Sequence, residues 1–201
     1  METATDFSGQ IKTICITYFN ESKKASVYEL VNQLMDMDGL PMHCPPHHFI
    51  LPAALLTVCH KLQGSEQKLL EHDLSEAKTR ASKVLGGFCG NYGNCGAAVG
   101  IGIFYSIFTH TTPLSTDTWS RVNRATGMGL LKISEIEGPR CCKRNLYLAL
   151  DSAVDTIAAD LGLVLERPAE IICKYYPANK ECKGLKCPYF PGNHRQPEVT
   201  L

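Results

Sequence analysis

The chain has no surplus of charge of either sign: its 20 Lys and Arg balance its 20 Asp and Glu. With no basic excess and no polybasic block, the composition gives no reason to expect nucleic acid or a membrane surface as a partner. The apolar run from Ala97 to Phe108 falls short of the ~20 residues that span a bilayer and is interrupted by Gly100 and Gly102. The opening METATDFSGQ has no basic stretch leading into a hydrophobic one, so no export signal is visible and a cytoplasmic location is expected. Several catalytic signatures are missing too. There is no G-x-x-x-x-G-K-[ST] phosphate loop, no G-x-S-x-G elbow, no H-E-x-x-H and no C-x3-C-x2-C of the radical S-adenosylmethionine type. Gly93, Gly96 and Gly100 do not form a dinucleotide fingerprint, because no strand leads into them.

Cysteine is what the chain does have. Ten of its 201 residues are cysteine, more than average but fewer than in a small disulfide scaffold. Without an export signal, reduced thiols are expected, which points to metal binding or catalysis rather than bridges. Cys15 and Cys59 sit among apolar neighbours and read as inert core. The other eight fall in loop-like sequence: Cys44, the pair Cys89 and Cys95, the doublet Cys141 and Cys142, and the trio Cys173, Cys182 and Cys187.

Hydrophobic spacing predicts a mainly helical chain. Residues 1–10 read as a frayed terminus, and the alternation of Ile11, Thr13, Cys15 and Thr17 as a short strand reaching Phe19. Ala25 to Met37 reads as a helix stopped by Gly39 and Pro41. Pro45 and Pro46 predict a rigid turn before a helix with Leu51, Ala54, Leu55, Val58, Cys59 and Leu62 on one face. Ser65 is the expected cap of a helix from Glu66 to Leu85, with Leu69 and Leu85 among its inward residues. A glycine-rich loop then leads into a helix from Gly96 to Thr109, apolar nearly all round and so expected at the centre. Ser115 or Thr116 caps the next helix, in which Gly127 and Gly129 mark a kink or a close packing. After Gly138-Pro139, the doublet opens a helix ending at Gly162. The expected architecture is a single-domain helical bundle of about six helices around the central glycine-rich helix. It divides into an N-terminal extension (1–41), a helical core with the cysteine site (42–167) and a cysteine-rich irregular segment with a loose tail (168–201).

Cys44, Cys95 and the doublet each precede or open a predicted helix, where free N–H groups and the macrodipole favour a negative sulfur. Arg140, Lys143 and Arg144 add positive charge beside the doublet, which is expected to push those thiols towards the thiolate. If these helix starts converge, Cys44, Cys89, Cys95, Cys141 and Cys142 meet at one cavity cradled by Gly90, Gly93 and Gly96, with Arg140 and Lys143 alongside. Such a cavity suits an iron–sulfur cluster, most simply 4Fe-4S, with zinc and a metal-free dithiol as the alternatives. In the metal-free case Cys141 or Cys142 attacks and Cys89 or Cys95 resolves. His47 and His48, beside His43 and Cys44, are candidate ligands or acid/base groups. His60 and His72 read as solvated, and His110 as a polar wall of the same cavity. The C-x8-C-x4-C trio supplies three further ligands, one short of a closed site.

The segments CPPHHFILPAALL, FCGNYGNCGAAVGIGIF, TPLSTDTW and GPRCCKRN, with the C-x8-C-x4-CPYF end, resemble the DUF5714 family from about Met42 to Phe190, leaving the first forty residues outside the likeness. Cys95 to Gly100, CGAAVG, is also similar to the C-G-A-x-x-G motif of a four-cysteine family regarded as redox-active. The resemblance implies an uncharacterised module, chiefly of anaerobes, joined to or encoded beside S-adenosylmethionine-using enzymes. It supplies no reaction. The expectation is a metal–thiolate protein with a redox or sulfur-transfer role for a partner enzyme, the alternatives being a thiol oxidoreductase and a zinc-stabilised interaction module.

Overall fold

Apolar residues recurring every three to four positions, with small polar caps between them, make every regular element among the described residues helical. The computed structural model describes residues 6–194. The expectations for residues 1–5 and for the tail beyond His194 lie outside them. Eight α-helices and three short 3-10 turns, with no strand, make up the described residues. Among these residues no helix is long and apolar enough to cross a membrane.

The stretch read as a strand is helix α1, Phe7–Asn20. Its alternation is incidental: Ile11, Cys15 and Tyr18, spaced four and three apart, are the buried face. Asp6 closes its start by accepting a hydrogen bond from the Gly9 N–H at 2.9 Å. Helix α2, Val27–Met35, is capped by Ser26 and buries Leu30, Val31 and Leu34 completely. Both helices contribute to the one hydrophobic core, so residues 6–41 share the core of the domain rather than forming a separate extension.

Helix α3, His47–Gln63, is buried on all sides from Phe49 to His60 and touches α1, α2, α4, α6 and α8. The expected single apolar face is too narrow a reading, and Leu62, at the frayed end, is exposed. Pro52 lies inside this helix, and Gly100 makes room for its ring: a Cβ on Gly100 would stand 2.8 Å from Pro52 Cδ. Helix α4 is Gln67–Ala81, with Leu70, Leu74, Ala77 and Ala81 inward. Leu69 and Leu85 face solvent instead, and Ser65 bonds to His60 Nδ1 at 3.0 Å rather than capping α4.

A single turn, α5 (Phe88–Asn91), interrupts the glycine loop. Helix α6, Gly96–Phe108, is central as expected, packed against α3, α4, α7 and α8. Helix α7, Asp117–Ser134, is continuous, and Gly129 serves close packing, since a Cβ there would lie 2.6 Å from Ile101 Cδ1. Helix α8, Cys142–Leu161, ends on Gly162 at φ 66°. Asp151 of α8 accepts from Tyr28 Oη at 2.6 Å and from Tyr189 Oη at 3.0 Å. One carboxylate thereby ties the N-terminal helices and the C-terminal segment to the same face.

Candidate functional site

Four helix starts meet at one end of the bundle. Cys44 precedes α3, Cys89 lies in α5, Cys95 is the residue before α6, and Cys142 is the first residue of α8. All four line a cavity of about 130 Å³, together with His43, His47, His48, Gly96, Arg140 and Asn145. They come together because each sits where a helix must begin, and the packing of α3, α6 and α8 brings those beginnings to one side. Asn145 Nδ2 donates to Cys95 Sγ at 3.4 Å. His47 Nδ1 lies 3.1 Å from both Cys44 Sγ and the Cys44 carbonyl.

The cavity is shaped for something held against backbone. A Cβ on Gly96 would stand 2.1 Å from His48 Cδ2, so only glycine lets α6 start here. Gly87 occupies the left-handed region at φ 82°, which turns the chain into α5. His47 is 2 % exposed and its Nε2 is buried with no hydrogen-bond partner. Burial, with the Lys143 charge second, holds this imidazole down to about 3, so it is neutral and offers a lone pair. His48 is also held below its usual range by burial, and its Nδ1 bonds to the Val84 carbonyl at 2.9 Å.

Gly90 and Gly93 do not line this cavity. They border a wider, open one of about 940 Å³ that shares Cys89, Cys95, Arg140 and Asn145 with it and is walled by Leu130, Leu131, Ile133 and Ile136. Lys143 does not line the cavity either. It is 1 % exposed, donates to the Met35 carbonyl at 2.8 Å and lies 4.8 Å above the Tyr175 ring. Burial lowers it to about 8, and its charge acts on His47 and Cys44 from behind the cavity wall. His110 is exposed beyond the C-terminal end of α6, about 20 Å along that helix from the thiols. His60 is buried, not solvated, with Nε2 2.8 Å from Asp73 Oδ2, whereas His72 is exposed as expected.

At Cys142 the expected activation by basic neighbours is overridden by desolvation. Burial pushes the Cys142 thiol up to about 12, Cys95 adds to the effect, and Arg140 opposes it without prevailing. Burial likewise raises Cys44. Among the described residues, no three His, Cys, Asp or Glu side chains are gathered as ligands of a single metal ion.

Cys141 turns the other way. It faces a small cavity of about 20 Å³ that also receives Cys173, Cys182 and Cys187. The doublet expected to serve one site is therefore divided between two.

The model of a family of unknown function, DUF5714, matches residues 11–190. The chain belongs to the DUF5714 family. The match begins within α1, well before Met42, so the DUF5714 unit includes the N-terminal helices, as the shared core requires. No curated protein and no solved structure matches this DUF5714 chain.

Proposed function

We propose that this protein is an iron–sulfur protein that carries electrons for a partner enzyme, with Cys44, Cys89, Cys95 and Cys142 as the ligands. The observation that carries the reading is the convergence of these four thiols, from four separate segments, on one cavity of about 130 Å³. A single zinc ion draws four sulfurs to about 2.3 Å from one point. A cluster places metal and sulfide between its ligands, and the thiols here surround a space several times the ~30 Å³ share of a water molecule.

The donor chemistry fits. The Asn145 amide donates to Cys95 Sγ, the positive ends of α6 and α8 favour negative sulfur beside them, and Arg140 offsets negative charge. When bound, a cluster supplies one-electron chemistry: one electron taken from a reduced donor and one passed to an acceptor. Four thiolates leave no iron position open for a substrate, which favours electron transfer over sulfur donation. The open apolar-walled cavity beside Cys89 and Cys95 gives an acceptor access. An S-adenosylmethionine-using or other redox enzyme is the kind of partner the family resemblance suggests.

Anaerobically purified protein should be brown, with iron and acid-labile sulfide in matching amounts and a paramagnetic signal on reduction. Colourless protein with stoichiometric zinc overturns the reading.

A further inference from the structure

We infer that the chain holds a second metal–thiolate centre, made by Cys141, Cys173, Cys182 and Cys187. The trio C-x8-C-x4-C lacks a fourth ligand in its own segment, and the fold supplies it from Cys141, the residue just before α8. Cys141 and Cys187 are buried, at 7 % and 8 % exposure, and Cys173 and Cys182 are half-buried. All four line the same cavity of about 20 Å³, and none is disulfide-bonded.

Their surroundings are those of sulfur that carries charge. The Arg144 N–H donates to Cys141 Sγ at 3.5 Å and Asn179 Nδ2 to the same atom at 3.4 Å. The Gly184 N–H donates to Cys182 Sγ at 3.4 Å. Three donors directed at thiol sulfurs in a water-poor pocket are poorly used by neutral thiols, which accept weakly, and well used by metal-bound thiolates. Four reduced thiols kept merely as packing would need no such donors.

Side chains such as Tyr189 and Tyr175, bonded to Asp151 and Asp36, anchor the segment that carries the trio, but it has no α-helix or strand of its own. Residues 168–194 contain only three 3-10 turns, each of three residues, and no helix or strand. A short irregular segment that folds back on a core is the setting in which a structural metal supplies the missing stability. Zinc is the thiophilic metal that suits it: a cavity of about 20 Å³ has room for one ion and none for a cluster, and each of the four cysteines gives up its proton to solvent on binding. The described thiols are not gathered at single-ion spacing, so zinc would draw them inward.

The inference is independent of the one for the first cavity, and one experiment separates them. Iron, zinc and acid-labile sulfide are measured per chain on anaerobically purified wild type, on the Cys173→Ser/Cys187→Ser variant and on the Cys44→Ser/Cys89→Ser variant. The first variant should lose about one zinc and keep the metal that the second variant loses. The inference fails if Cys173→Ser/Cys187→Ser retains the full wild-type metal content, or if Cys44→Ser/Cys89→Ser carries none at all. If only the second centre is loaded, the reading of the first cavity fails alone.

Should the first variant not fold, wild-type protein decides. Alkylation with and without prior chelation, mapped by mass spectrometry, should find Cys173, Cys182 and Cys187 protected in the loaded protein and labelled after chelation. Equal labelling in both samples overturns the inference.

Discussion

Cys141 and Cys142 are joined by a single peptide bond, yet their side chains line different cavities, one with Cys173, Cys182 and Cys187 and the other with Cys44, Cys89 and Cys95. Cys141 stands just before α8, its sulfur accepting from the Arg144 N–H, and Cys142 is the helix's first residue. Successive side chains on a helix do not face each other, so one doublet serves two directions.

This division predicts separable losses. Cys142→Ser should remove metal from the first cavity and leave the C-terminal centre loaded, and Cys141→Ser should do the opposite. Metal and sulfide content of the two single variants, compared with wild type, checks it. Identical losses in both would mean that the doublet acts as a unit.

Gly96→Ala should destabilise the fold by about 1–3 kcal/mol, because its Cβ would stand 2.1 Å from His48 Cδ2 where α6 begins. Gly127→Ala is the control. It lies within α7 with nothing within 4 Å of an added Cβ, so helix propensity should make it more stable by roughly 0.5–1 kcal/mol. Urea denaturation of both variants gives the two signs.

Cys15 and Cys59 are both 0 % exposed, and burial pushes each thiol up to about 12. A folded-state value above that of a free thiol keeps both protonated from neutral pH to well beyond pH 9. Alkylation of native, metal-free protein at pH 8 should therefore leave these two unlabelled while Cys89 and Cys95 react, and denaturant should expose all ten. Peptide mapping reads the result.

Asp73 is 3 % exposed and lies 2.8 Å from His60 Nε2. Asp73→Ala leaves that buried imidazole nitrogen without its partner and should cost on the order of 1–3 kcal/mol in urea unfolding. Asp73→Asn, which keeps an acceptor, should cost less.

Much of this was legible in the sequence. The central glycine-rich helix and the Gly162 stop followed from spacing and small residues, and helix starts pointed to a gathering of Cys44, Cys89, Cys95, Cys141 and Cys142, of which Cys141 stands apart. What was not legible is instructive. Ile11, Thr13, Cys15 and Thr17 satisfied a two-residue period, but Tyr18 completes a helical face that the period-two reading omitted. His60 looked solvated because its partner Asp73 belongs to the next helix. Lys143 carries a charge near the thiols, as its place beside the doublet suggests, but its ammonium is turned to the Met35 carbonyl and does not line the cavity. The separation of Cys141 from Cys142 had a signal that was available: adjacent helical positions diverge, and a trio one ligand short needs a fourth from elsewhere.

The four thiols of the larger cavity are spread from Cys44 to Cys142, about half of the 201 residues. A ribosome making ~5–20 residues per second needs roughly 5–20 s between delivering the first of them and the last. Over that interval Cys44, and from about its midpoint Cys89 and Cys95, are present without the partner that α8 brings. Any scavenging metal or oxidant in the cell meets an incomplete set, so timely docking of α8 on the emerging bundle guards the nascent thiols as well as completing the fold.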